Sequence, residues 1–63
     1  MKEFDTVSLV YSVYDEKGTG EVFSAGSIGT IVHAYPGGER FEVEFSKPFS
    51  TVLTLRKNQI EAS

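Results

Sequence analysis

Ser24-Ala25-Gly26-Ser27-Ile28-Gly29-Thr30-Ile31-Val32-His33-Ala34-Tyr35-Pro36-Gly37-Gly38-Glu39-Arg40-Phe41-Glu42-Val43-Glu44-Phe45 decides the fold. It reads as a glycine-gated strand, a turn and a return strand. Gly26 suits a tight corner with positive φ, where glycine has no Cβ to clash. Gly29 lies inside the strand pattern, which marks a bulge, a bend or a close approach of another backbone. Pro36-Gly37-Gly38 makes the turn, because proline presets φ and glycine accepts positive φ. In the return strand, Arg40 to Phe45, Phe41, Val43 and Phe45 share one face and Glu42 and Glu44 the other. That is the pattern of a half-buried antiparallel strand with a solvated acidic face.

Working outward, Thr6 to Tyr11 alternates and is β-branched, so it predicts a first strand with Val7, Leu9 and Tyr11 on one face. The second strand is expected over Ile28 to Tyr35. Ser12 to Phe23 lies between them as a long loop centred on Lys17-Gly18-Thr19-Gly20. Loops of this length are often functional; the plainer expectation is a small irregular hairpin over one end of the core. After the return strand, Pro48 places Ser46 to Ser50 in a loop. Thr51 to Leu55 alternates again, with Leu53 and Leu55 inward. Arg56 to Gln59 suits one 3₁₀ turn, and Ile60 then plugs the core. No segment carries the spacing of an amphipathic helix. The expected fold is all-β, a small SH3-like five-stranded barrel with a long first loop and a terminal 3₁₀ turn, in one domain over residues 1–63.

Composition narrows the function. A chain of 63 residues buries only roughly 60% of its unfolded surface, and its core supplies about 3–5 kcal/mol of net stability. Small folds usually add a disulfide, a metal or a partner. There is no cysteine and one histidine, which excludes disulfides and His- or Cys-based zinc sites. Self-association or a protein partner remains. Nine acidic against six basic residues, a net charge of −3, makes nucleic acid an unlikely partner. No apolar stretch reaches signal-peptide or membrane-spanning length. The expectation is a cytoplasmic protein with no membrane contact, since absence of cysteine fits a reducing compartment.

Gly26-Ser27-Ile28-Gly29-Thr30-Ile31-Val32-His33-Ala34-Tyr35, with Asp5-Thr6-Val7, Phe41-Glu42-Val43-Glu44-Phe45 and Thr54-Leu55, resembles a small bacterial family, domain of unknown function 4926. The resemblance spans nearly the whole chain. It implies an SH3-like barrel and no established activity, and it carries over no functional residue. The segment Gly26 to Val32 is also similar to the KOW motif of ribosomal and elongation proteins, and to the SH3-like barrel of a photosystem I accessory subunit. Shared barrel geometry accounts for both likenesses, and shared fold does not carry shared function.

No catalytic, metal or cofactor site is expected. His33 has no orienting carboxylate or nucleophile at a spacing that would make it a base, so it reads as a surface or structural residue. Glu42 and Glu44 lie on one strand face, where Arg40, Arg56 or Lys57 would pair with them. A glycosidase pair would need a cleft and an apolar pocket instead. Asp15-Glu16-Lys17-Gly18-Thr19-Gly20-Glu21 fits neither the EF-hand nor the P-loop and reads as a charged loop tip. Leu9 to Glu16 faintly echoes the strand and aromatic loop of eukaryotic SH3 domains, but the chain has no tryptophan to wall a PxxP groove.

The informative feature is a surplus of apolar residues. Val7, Leu9, Ile28, Ile31, Val43, Phe45, Leu53, Leu55 and Ile60 would fill the interior. Tyr11, Tyr14, Phe23, Tyr35, Phe41, Phe49 and Val52 then have less room, and contiguous exposed apolar surface marks interfaces. The reading is a non-enzymatic protein-interaction module, a homo-oligomer or one docking on a protein partner, with Tyr11, Tyr14, Phe23, Phe49 and Val52 as contact surface. The alternative is a KOW-like nucleic-acid-binding module using Lys47, Arg56, Lys57 and exposed tyrosines.

Overall fold

The structure, a computed structural model, describes residues 1–15, 18, 20–47 and 50–63. Its elements are β1 (Thr6–Leu9), β2 (Val13–Tyr14), β3 (Val22–Phe23), β4 (Ile28–Ala34), β5 (Arg40–Phe45), β6 (Thr51–Arg56), a 3₁₀ turn (Lys57–Gln59) and β7 (Ile60–Ala62). The chain is all-β. Five strands form one antiparallel sheet in the order β6-β5-β4-β1-β7, and β2 and β3 pair separately as a small hairpin.

Sequence alternation translates directly into register. Phe41 opposes Leu55 and Ala34, and Val43 opposes Leu53 and Ile31. These rows place the large apolar side chains on one face, where Val7, Leu9, Ile31, Phe41, Val43, Phe45, Leu53, Leu55 and Ile60 join a single buried cluster. All five strands feed that cluster, so the sheet curls around it. The curl does not become a closed barrel: β6 and β7 end the sheet without pairing with each other. The main sheet has the expected five strands, but alternation located only four of them; the fifth, β7, stands where only a plug at Ile60 was expected. Three residues following a 3₁₀ turn are too few for a period-two pattern to register.

Glycine geometry explains the corners. Gly26 has φ 90°, and Gly37 and Gly38 have φ 95° and 69°. Gly29 has an ordinary φ but no room. A Cβ there would lie 2.7 Å from Val43 Cγ1 and 3.0 Å from both the Glu44 carbonyl and Phe45 Cε2. It is the close-approach case. The bulge falls later, between Ile31 and His33.

Two core assignments change. Ile28 is 51% exposed, because it lies three positions before Ile31, and across that odd offset, with no bulge between them, the two point to opposite faces. Phe41 is buried instead, as its parity with Val43 and Phe45 requires. The long loop is the small hairpin: Val13 opposes Phe23 and Tyr14 opposes Val22. Asp15 closes it. Its Oδ1 accepts the Gly18 N–H at 3.0 Å, and its main chain bonds Glu21 and Gly20 at 3.0 Å each. Asp15 is therefore buried and hydrogen-bonded, not part of a solvated charged tip. Glu16, Lys17 and Thr19 lie outside the described residues.

Candidate interaction surface

Of the five residues singled out by the apolar surplus, three reach the surface: Tyr11, Tyr14 and Val52. Phe23 does not. It is fully buried, with its ring 5.2 Å from that of Phe45. It is the anchor that pins the hairpin onto the sheet. Phe49 lies outside the described residues.

Tyr14 and Val52, 58% and 49% exposed, line one open cleft of about 330 Å³ with Val13, Asp15, Thr54 and Gln59. The hairpin forms one wall and β6, the end strand of the sheet, the other. Pairing with β5 runs through Arg40↔Arg56 to Phe45↔Thr51, and the Lys57 N–H donates to the Glu39 carbonyl at 2.9 Å. Hydrogen-bonded pairs alternate along an antiparallel ladder. Thr51, Leu53 and Leu55 therefore turn their main-chain groups toward β5, and Val52, Thr54 and Arg56 turn theirs outward. The Arg56 N–H is taken by Gln59 Oε1 at 2.7 Å. Among the described residues, the N–H and C=O of Val52 and Thr54 have no protein partner. Asp15, Thr54 and Gln59 were not among the contact residues that the sequence suggested. The Asp15–Gly18 spacing is the one local signal that could have marked the hairpin closure.

The outer face of β4-β5-β6 carries a polar cluster. Glu42, opposite His33 and Thr54, accepts a short hydrogen bond from the Tyr35 hydroxyl and lies 2.9 Å from Thr54 Oγ1 through both carboxylate oxygens. The cations expected to meet it are elsewhere. Arg40 lies over the Tyr35 ring at 5.7 Å and stands opposite Arg56, while Lys57 pairs with Glu39 at 3.1 Å. The bond to Glu42 raises the Tyr35 phenol above its ordinary range; proximity of the two negative charges that ionisation would create adds to it, and Arg40 opposes it. His33 is exposed, with Nδ1 3.6 Å from Glu3 Oε2 and its ring edge-on to Tyr35 at 4.6 Å. The Glu3 carboxylate thus stands beside the imidazole, a neighbour that the spacing in the sequence did not predict.

A second cleft, of about 630 Å³, lies at the far end of β4 and β5 beside Ile28, Thr30, Glu44 and Lys47. Lys47 thus sits before the start of β6, whereas Arg56 and Lys57 lie at its end. At about 3.3 Å per residue the strand separates them. Phe4 is a further exposed aromatic, at 77%. It holds φ 71° and donates its N–H to Ile31 at 2.6 Å, a cost a non-glycine residue tolerates only where neighbouring bonds enforce it. Among the described residues, no three metal-ligating side chains gather, and no helix is long and apolar enough to cross a membrane.

The model of a family described as a domain of unknown function, DUF4926, matches residues 3–62. The chain belongs to that family. No curated protein matches it, and no solved structure does.

Proposed function

We propose that this chain is a non-enzymatic, cytoplasmic protein-interaction module with an SH3-like strand arrangement whose curled sheet remains open. Support for the SH3-like reading is the strand order, with a hairpin between the first two long strands and a 3₁₀ turn between the last two. The function rests on one observation. Tyr14 and Val52 stand exposed in one cleft, of which β6, an end strand of the sheet with unpaired main-chain groups, forms a wall. Exposed apolar side chains flanking free N–H and C=O groups offer an incoming protein segment both affinity and register. A small chain without disulfides gains stability from such an occupant.

The test joins light scattering of the purified chain over a concentration series with capture and purification of binding proteins from the native host. The expected result is saturable binding, to itself or to a purified captured protein, that Tyr14→Ser weakens about tenfold without loss of fold. A chain that stays monomeric and binds no purified candidate overturns the proposal. So does a Tyr14→Ser variant that binds as the parent does.

A further inference from the structure

The sheet has two open edges, and they differ in how freely they can pair with another strand. At β7, the Val10 N–H bonds Gln59 at 2.9 Å and the Ser63 N–H bonds Thr6 at 3.1 Å. By the same alternation Glu61 faces Ser8, and Ile60 and Ala62 turn their main chains outward. Pairing two β7 edges about a two-fold axis, Ile60 against Ala62, sets Glu61 directly against Glu61 of the other copy. Like charges directly opposite each other on a sheet are destabilising. The edge is also only three residues long, and short charged edges are a common way to block sheet-to-sheet association.

β6 has neither safeguard. It runs for six residues, Thr-Val-Leu-Thr-Leu-Arg, with no charge before Arg56, and its Thr, Val and Leu residues favour strands. We infer that β6 pairs antiparallel with β6 of a second copy of this chain, so that the two sheets join across a two-fold axis at Leu53. This rests on the interaction reading above and names its partner. In that register Val52 faces Thr54 of the second copy and Thr54 faces Val52. Each pair exchanges two main-chain hydrogen bonds, satisfying the four outward groups of Val52 and Thr54 on each edge. Arg56 falls opposite Ser50, so no like charges meet. The outer side chains Val52 and Thr54 come together across the axis, and Tyr14 of each copy walls the joined strands. The contact is isologous, so it closes at two copies. A six-residue edge covers less than the roughly 800 Å² per partner of a standard interface, which places the dimer in the weak, concentration-dependent class.

The experiment is sedimentation equilibrium on the full chain, read together with amide hydrogen exchange at Val52 and Thr54 and repeated for Val52→Lys and Val52→Pro. Residue 52 directs its N–H away from β5, so proline removes no bond of the existing ladder. Lysine keeps the main chain and adds a charge to the edge. The expected result is a monomer–dimer equilibrium in which both amides gain protection with concentration. Each variant that retains the parent circular dichroism should weaken the dimer about tenfold or more. A dimer with unprotected edge amides, or one that Val52→Lys leaves intact, overturns the β6 pairing while the interaction module stands. A monomer at millimolar concentration overturns the second copy as partner and leaves capture of a different protein to decide the broader proposal. Open-ended oligomers overturn the two-fold, since they require β6 to meet β7.

Discussion

The meander β4-β5-β6 and the hairpin β2-β3 are built on different principles. In the meander, long strands repeat one rule: alternate side chains enter the core, and each row is reinforced by the next. The hairpin has two residues per strand, too few for independent stability. It holds its place through Phe23, driven against Phe45, and through Asp15, which closes its turn. One region is stabilised by many equivalent contacts; in the other, among the described residues, Phe23 and Asp15 stand out, with Val13 packed beside the core. Substitutions in the meander should therefore report on the whole domain, and those in the hairpin on the cleft.

The largest expected effect separates two rings that touch. Phe45→Ala should cost about 3–5 kcal/mol, as much as the net stability of a domain this size, leaving the chain unfolded by circular dichroism at 25 °C. Phe23→Ala empties an equally buried site but at the hairpin, where the segment can lift away. The expected outcome is a cost nearer the low end of that range, a folded sheet, and loss of exchange protection confined to residues 13–23. Equal unfolding by both substitutions would erase the distinction between the regions.

Gly29→Ala comes next, at about 1–3 kcal/mol. Its Cβ would be driven against Val43 and the Glu44 main chain, and the midpoint of urea unfolding should fall accordingly. Gly18→Ala drives a Cβ into the Asp15 carboxylate. It should open the hairpin turn at about 1 kcal/mol by overpacking, visible as exchange at Asp15 and Gly20 with β4-β5-β6 unchanged. The smallest effect is Tyr35→Phe on the outer face. Because the Tyr35 phenol is held above its ordinary value in the folded chain, its contribution is complete below about pH 10. It is lost as pH rises through the folded value, since the unfolded chain gives up the proton first. Absorbance titration of tyrosinate should show a late phase that Tyr35→Phe removes, with the variant's stability falling less steeply above that pH.

Legibility followed the same division. The span of β5 and the Phe41-Val43-Phe45 face were readable because alternation over six residues leaves one solution. The turn at Pro36-Gly37-Gly38 was readable because positive φ narrows the choice of residue. Ile28 misled because an apolar residue near a core run invites burial, yet parity alone decides its face. Phe23 was read as surface because counting apolar residues says that some must be outside, not which ones. The partners of Glu42 were missed because sequence pairs charge with charge, while the fold brought two hydroxyl groups, Tyr35 and Thr54, to its carboxylate.

By itself, the sequence determined the strand class, the turns and most of the buried face, since period, glycine and proline act locally. It also determined what the molecule lacks the residues to do, a disulfide or a thiolate metal site. Tertiary structure alone decided that the sheet stays open, that β6 and β7 are its ends, and that Tyr14 faces Val52 across a cleft. Those are relations between segments far apart in the chain. They follow from which elements share one core, a competition for volume that no local pattern records.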